Sequence, residues 1–91
     1  MIVQICFQWE TITEGLKEHY EIVKNICEEE DGVEFMGLLS PYSERWNWVY
    51  MFMVDSWERF WEVRSKWDER YGGRPKQATN VIYRMYDKYE L

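Results

Sequence analysis

The chain begins with a regular alternation of apolar and polar side chains over residues 2–9. The apolar side of this alternation consists of Val3, Ile5, Phe7 and Trp9. The other side carries Ile2, Gln4, Cys6 and Gln8. A period of two residues is typical of a strand that buries one face and exposes the other. The first segment is therefore predicted to be a half-buried β-strand.

From Thr11 onward, the spacing of the core-type side chains becomes that of an α-helix. Thr11 and Glu14 form a capping box, in which two side chains satisfy backbone N–H groups at a helix start. The positions that recur at helical spacing are Ile12, Leu16, His19, Tyr20, Val23, Ile26 and Cys27. The turn pair Asp31 and Gly32 is predicted to end this helix.

Two apolar segments follow, at residues 33–42 and 46–54, and a polar loop at residues 41–45 is predicted to join them as a hairpin. The second segment is apolar on both sides of its alternation. One side consists of Trp48, Tyr50 and Phe52, and the other of Val49, Met51 and Met53. Such a strand is predicted to be central in the sheet and covered on both faces.

A second helix is predicted to begin at Asp55 as the N-terminal cap, with Glu58 at the third position. Its buried stripe consists of Trp57, Phe60, Trp61, Arg64, Trp67 and Tyr71. Gly72 and Gly73 end the helix, and residues 79–88 form the last predicted strand.

The order of these elements is βαββαβ, which predicts a single ferredoxin-like α+β domain over residues 1–91. In this fold, two helices cover one face of a four-stranded antiparallel sheet and leave the other face bare. We assign nine side chains to the bare face: Gln4, Cys6, Gln8, Trp48, Tyr50, Phe52, Ile82, Arg84 and Tyr86.

Aromatic residues are frequent, with six Trp, seven Tyr and four Phe among 91 residues. A domain of this size buries only about 60–65% of the surface that its unfolded chain exposes, so its core cannot hold all of these rings. Large exposed apolar patches usually mark interfaces, and twofold dimers are the commonest assembly. We therefore predict a homodimer with these interface residues: Gln4, Cys6, Gln8, Trp48, Tyr50, Phe52 and Tyr86.

The element order, the apolar third strand and the strand-to-helix step at residues 54–60 resemble the dimeric α+β-barrel superfamily. That superfamily includes proteins similar to antibiotic-biosynthesis monooxygenases, and the resemblance covers nearly the whole chain. It implies that two sheets close face to face and that a cavity between strands and helices binds a small apolar or aromatic molecule. Several members carry a histidine on the second helix, where this chain has Val63. This difference argues against oxygenase or haem-degrading chemistry.

The chain has a formal net charge of −6, from 11 basic and 17 acidic side chains. Nucleic-acid binding depends on clustered Lys and Arg, so no nucleic-acid partner is predicted. The alternative within this class is an RNA-recognition motif, whose bases would stack on Trp48 and Tyr50. Trp46 and Asn47 stand where that motif has basic and glycine residues.

Membrane attachment is also not predicted. No apolar stretch approaches the roughly 20 residues that a membrane-spanning helix needs. The first residues lack the cationic start of a signal peptide. We therefore expect a soluble, cytoplasmic protein.

His19 is the only histidine in the chain, and histidine is the side chain whose usual pKa lies near neutrality. It lies within the buried stripe of the first helix, between Leu16 and Val23. One interpretation is a packed histidine with a hydrogen-bond partner, and the other is a general base at the mouth of a cavity. Cys6 and Cys27 lack the spacing of a zinc element, so no metal site is predicted.

Arg64 and Asp68 lie one helical turn apart within the aromatic stripe of the second helix. The neighbouring tryptophans either pack around the alkyl stem of Arg64 or contact the apolar body of a ligand. In the second interpretation, Arg64 binds the carboxylate or enolate of that ligand. The remaining ligand-binding candidates are Trp57, Trp61, Trp67, Tyr50 and Arg84.

These observations lead us to expect a homodimer that binds a small apolar or aromatic molecule and needs no cofactor. One alternative is a cofactor-independent monooxygenase or isomerase, in which His19 is the base and Arg64 or Arg84 stabilises the anion. A further alternative is a purely structural dimer whose aromatic side chains only fill the interface.

Overall fold

The computed structural model describes residues 1–43 and 45–87 and contains six elements in the order βαββαβ. The strands are β1 (Ile2–Trp9), β2 (Val33–Leu39), β3 (Trp48–Val54) and β4 (Ala78–Tyr86). The helices are α1 (Leu16–Glu29) and α2 (Trp57–Tyr71). Lys88, which we predicted to belong to the last strand, and Glu44, in the predicted hairpin loop, lie outside the described residues.

The four strands form one antiparallel sheet in the order β2-β3-β1-β4. Strands β2 and β3 are joined as a hairpin, whereas α1 and α2 connect strands that are not neighbours in the sheet. This topology confirms the ferredoxin-like α+β fold. It also brings the end of β1, the start of β4 and the loops around them to one end of the sheet, because paired strands run in opposite directions.

The core lies between the sheet and the two helices, and the alternation along β1 correctly predicts its contribution. All four apolar side chains of that alternation are buried there: Val3, Ile5, Phe7 and Trp9. Helix α1 contributes Leu16, Val23, Ile26 and Cys27, and helix α2 contributes Phe60, Val63 and Trp67. These positions recur every three or four residues, which places them on one face of each helix.

The assignment of Trp48, Tyr50 and Phe52 to the bare face is wrong. Tyr50 pairs with Ile5 in the β1–β3 ladder, and side chains directly opposite each other share a face of the sheet. Tyr50 and Phe52 are therefore under the helices, with 2% and 0% exposure, and Trp48 packs against the same core. Because β3 is apolar on both sides, its alternation did not reveal which side faces the helices.

The other sheet face is partly covered by the chain itself. Trp46, predicted as a strand residue, lies in the β2–β3 loop and is only 4% exposed, where it packs with Cys6 and Val49. Its indole Nε1 donates to the Asn80 carbonyl oxygen over 2.9 Å. The Arg84 guanidinium lies 4.6 Å from the centre of the Trp46 ring. This loop therefore provides some of the cover that we expected from a second subunit.

Six of the nine residues that we assigned to the bare face do lie on it. Gln4 pairs with Arg84, Cys6 pairs with Ile82, and Gln8 lies opposite Thr79. Tyr86 pairs with Ile2 at the far end of the same two strands. Met53, Ile82 and Tyr86 remain 38%, 39% and 45% exposed, so the apolar area left open is smaller than we predicted.

Both helices begin later than the sequence predicted. Helix α1 follows Gly15, whose φ of 73° is left-handed, so its start is not the capping box at Thr11. Helix α2 is capped by Ser56, whose Oγ accepts the Arg59 N–H over 3.1 Å. Gly72, at φ 93°, ends α2 as predicted. Within the described part of the chain, no helix combines the length and apolar character needed to cross a membrane.

The corrected faces of β3 predict unequal effects of two neighbouring substitutions. Phe52→Ala empties part of the core and is expected to lower the free energy of unfolding by about 3–5 kcal/mol. Met53→Ala removes a partly exposed side chain from the other face and is expected to cost about 1 kcal/mol or less. Urea unfolding followed by tryptophan fluorescence measures both. Equal losses would contradict the assigned faces.

Candidate functional site

A cavity of about 280 Å³ lies between the sheet and the helices, at the end where β1 finishes and β4 begins. Strands β1, β3 and β4, both helices and the α2–β4 loop contribute to its wall. The described lining residues are Ile5, Phe7, Trp9, His19, Tyr50, Arg64, Trp67, Asp68, Arg74, Pro75, Ala78, Val81 and Tyr83. Most of this wall is apolar, and the charged side chains enter it from α2 and from the loop that follows.

The aromatic part of the wall is fixed by contacts outside the cavity. Trp67 stacks on Phe52, with 5.3 Å between ring centroids and 14° between planes. The indole Nε1 of Trp9 donates to the Glu14 carbonyl oxygen over 2.7 Å, which ties this ring to the β1–α1 loop. These side chains are therefore held in one arrangement whether or not the cavity is filled.

His19 enters the cavity from α1 and is almost fully buried. Its Nδ1 lies 2.8 Å from the Tyr50 hydroxyl oxygen. The ring also packs edge-on against Tyr71, with 4.9 Å between centroids. Burial, together with the positive charge of Arg64, lowers the pKa of His19 from 6.5 to about 4. The imidazole is therefore neutral at pH 7.

The hydrogen bond between the Tyr50 hydroxyl and His19 Nδ1 forms with either neutral tautomer of the imidazole. Burial raises the pKa of Tyr50, so the hydroxyl keeps its hydrogen. When the hydroxyl donates, Nδ1 accepts and the ring proton lies on Nε2. When Nδ1–H donates to the hydroxyl oxygen, Nε2 carries a lone pair instead.

Arg64 enters the cavity wall from α2 with only 8% exposure. Its Nη1 donates to Asp68 Oδ2 over 2.6 Å. The guanidinium carbon lies 4.9 Å from the centre of the Trp61 ring and 5.3 Å from that of Tyr83. A buried charge needs several such partners, because the free energy lost when it leaves water is larger than the stabilisation from a single contact.

The Nε–H of Arg64 has no acceptor. Of the buried side-chain nitrogen and oxygen atoms in the described residues, it is the one without a hydrogen-bond partner. An unsatisfied buried donor costs about 1–3 kcal/mol of stability, and more for a charged group. An acceptor that reached this nitrogen would remove that cost, although the atom is shielded from solvent in the free protein.

Tyr83 completes the surroundings of Arg64 from strand β4. Burial raises the pKa of Tyr83, although the nearby charge of Arg64 acts in the opposite direction. Its hydroxyl therefore stays protonated at neutral pH. Arg74 reaches the cavity from the loop that begins at Gly72 and Gly73.

The structure brings five of the predicted site residues together in this cavity: His19, Tyr50, Arg64, Trp67 and Asp68. Trp57 and Trp61 are not among the described lining residues, although Trp61 covers the Arg64 guanidinium. Trp57 stacks on Phe60, with 5.4 Å between centroids. Arg84 lies on the opposite face of the sheet beside Trp46, so it belongs to a different surface.

Eight of the lining residues were not singled out as site residues from the sequence, and the aromatic or charged ones among them include Trp9, Arg74 and Tyr83. Trp9 and Tyr83 lie on strands whose side chains alternate between the two faces of the sheet. That alternation predicts burial in the core but does not distinguish a ligand site. Tyr83 lies opposite Ile5 in the sheet, a pairing that depends on the register of β1 and β4. Arg74 lies in a loop whose path is not encoded by any periodic pattern.

The described residues contain no group of three or more His, Cys, Asp or Glu side chains that is placed to hold a metal ion. Burial raises the pKa of Cys27 to about 12, so its thiol is protonated and unreactive at neutral pH.

No protein-family model matches this chain, and no curated protein matches its sequence. The resemblance to the dimeric α+β-barrel superfamily is confirmed only for the arrangement of the helices and strands. Any inference about function therefore depends on the geometry of the cavity.

The lowered pKa of His19 predicts a pH-dependent stability. The pKa of His19 is 6.5 in the unfolded chain, whereas in the folded protein it is about 4. Acidification through this range therefore favours the unfolded state, and the free energy of unfolding falls by about 3 kcal/mol from this group. Above pH 6.5, His19 is neutral in both the folded and the unfolded state, so this loss of stability does not occur.

His19→Asn keeps an acceptor for Tyr50 but does not titrate. Between pH 7.5 and pH 4, its free energy of unfolding is expected to fall by about 3 kcal/mol less than that of the unsubstituted protein. Denaturant unfolding at both pH values measures the difference. The carboxylates titrate in both proteins and cancel, so identical pH dependences would contradict a buried, neutral His19.

Proposed function

We propose that this chain binds a small apolar or aromatic molecule in the cavity between its sheet and its helices. The observation that carries this proposal is the cavity itself, which encloses about 280 Å³ behind a mainly apolar wall with a few polar groups. Ligand sites commonly combine an apolar lining with a small number of polar groups that fix orientation.

The size of the cavity limits its ligand. Pockets for drug-sized molecules measure about 300–1,000 Å³, so this one suits a molecule at or below the small end of that range. Trp9, Trp67 and Tyr83 present ring surfaces to its interior. A ligand with one ring or two fused rings makes offset or edge-to-face contacts with such walls.

Binding accounts for the Arg64 site better than a purely structural role does. A core selected only for packing would place an apolar side chain of similar volume at this position, which is often as stable as a buried ion pair or more stable. The chain instead keeps a buried guanidinium with an unsatisfied Nε–H beside a cavity. A ligand that supplies an acceptor makes use of this arrangement.

The enzyme alternative is a cofactor-independent isomerase or monooxygenase with His19 as the general base. The lowered pKa of His19 supports binding instead, because a group with a pKa of about 4 is a weak proton acceptor at neutral pH. Asp68, the carboxylate in the cavity wall, is engaged by Arg64. Its use as a base would require the loss of this ion pair.

Homodimerisation and a cytoplasmic location stay predictions. The exposed apolar side chains of the outer sheet face are available to a second copy. The RNA-binding alternative loses its support, because Tyr50 lies under the helices and cannot stack on a base.

Indole, a neutral molecule with two fused rings, tests the binding proposal. We expect a titration with indole to shift the NMR signals of residues that line the cavity. Ala78→Leu fills part of this space and is expected to weaken indole binding by roughly tenfold or more. Thr79→Leu is the matched control, since Thr79 pairs with Gln8 on the outer face of the sheet.

Two results would contradict the proposal. The first is the absence of cavity shifts with indole up to its solubility limit. The second is an equal loss of affinity in both leucine variants, which would show that the effect does not come from filling the cavity.

A further inference from the structure

We infer that the molecule bound in this cavity is a monocarboxylate, whose carboxylate is recognised by Arg64 and by His19. This inference rests on the proposed function and names the chemical class of its ligand. It follows from three features of the wall: its net charge, the free donor positions and the apolar space beside them.

The cavity wall is positively charged within an acidic chain. Its described charged side chains are Arg64, Arg74 and Asp68, which leaves one positive charge when His19 is neutral. The whole chain has a net charge of −6. When the walls of a cleft carry an excess of one charge and have a low dielectric constant, the electrostatic potential inside the cleft is strengthened. One positive charge in excess matches a ligand with a single negative charge.

The guanidinium of Arg64 is only partly engaged by the chain. Asp68 accepts from Nη1, whereas Nε–H has no acceptor and is shielded from solvent. A guanidinium binds a carboxylate through two parallel N–H donors in a plane, and Nε belongs to such a pair. Because Arg64 lines the cavity, a shift of its side chain toward a bound carboxylate would give Nε–H the acceptor that it lacks in the free protein.

His19 supplies a second donor from the opposite helix. In the tautomer that we infer for carboxylate binding, the Tyr50 hydroxyl donates to Nδ1 and the proton of the neutral ring lies on Nε2. Among the described hydrogen bonds, none uses this nitrogen, and the ring lines the cavity. The charge of Arg64 reaches the ring strongly enough to lower its pKa, so the two side chains act on the same small space.

The same features exclude two other classes of anion. A phosphate monoester carries about 1.5 to 2 negative charges at pH 7, more than the wall compensates. A long acyl chain does not fit about 280 Å³. The apolar surfaces of Trp9, Trp67 and Tyr83 fit a short, ring-bearing acid.

Phenylacetate and phenylacetamide separate charge from shape, because they share a ring and nearly the same volume. We expect phenylacetate to bind at least roughly tenfold more tightly to the unsubstituted protein. Arg64→Met keeps the length of the stem but removes the charge, so we expect it to abolish this preference. Arg70→Met is the matched control, because Arg70 pairs with Glu29 on the surface.

Indole serves as the reference probe in the same titrations and shows whether each variant still folds and keeps its cavity. Equal affinities for phenylacetate and phenylacetamide in the unsubstituted protein would overturn the inference, and so would a preference that survives in an Arg64→Met variant that binds indole. If indole binds but the carboxylate has no advantage, only this inference fails. If none of the three probes binds, the proposed function fails with it.

Should Arg64→Met fail to fold, His19→Asn provides an independent test. Asparagine retains an acceptor for the Tyr50 hydroxyl but does not reproduce the imidazole Nε2–H. We expect it to reduce the preference for phenylacetate over phenylacetamide while indole binding persists. A preference equal to that of the unsubstituted protein would remove His19 from the carboxylate site and overturn the two-donor inference.

Discussion

The buried charge of Arg64 constrains the region where helix α2 meets strand β4. Removal of a guanidinium from water is costly, so the fold surrounds it with the Asp68 carboxylate and with the ring faces of Trp61 and Tyr83. The same charge, together with burial, keeps His19 neutral. The compensation is incomplete, because Nε lacks an acceptor. Much of the polar character of the cavity wall therefore comes from Arg64 and the groups around it.

The strand and helix order was predictable from the sequence because hydrophobic periodicity reports local geometry directly. The faces of β3 were not, since Tyr50 and its neighbours alternate with equally apolar residues such as Met51. Only pairing with β1 distinguishes the two sides, and pairing is a property of the whole sheet. Trp46 shows the same limit. Its apolar character continued the strand pattern, yet the ring folds back over Val49 from a loop.

The candidate site was predictable where its residues share one helix. Arg64 and Asp68 are four residues apart, so helical spacing alone brings them together. The hydrogen bond between His19 and Tyr50 joins residues 31 positions apart and depends on how α1 packs on β3. No periodic pattern encodes such a contact. The neutral state of His19 follows from its burial and from the charge of Arg64, which also depend on tertiary packing.

The ionisation of His19 tests the account most directly, because this residue is the only histidine and gives one set of imidazole NMR signals. We predict a ring that stays neutral from pH 8 down to its pKa of about 4, and the inferred carboxylate site requires its proton on Nε2. Nitrogen chemical shifts distinguish the two ring positions. Titration near pH 6.5 would contradict the buried arrangement of His19, Tyr50 and Arg64, and a ring protonated at Nδ1 at neutral pH would contradict the inferred donor.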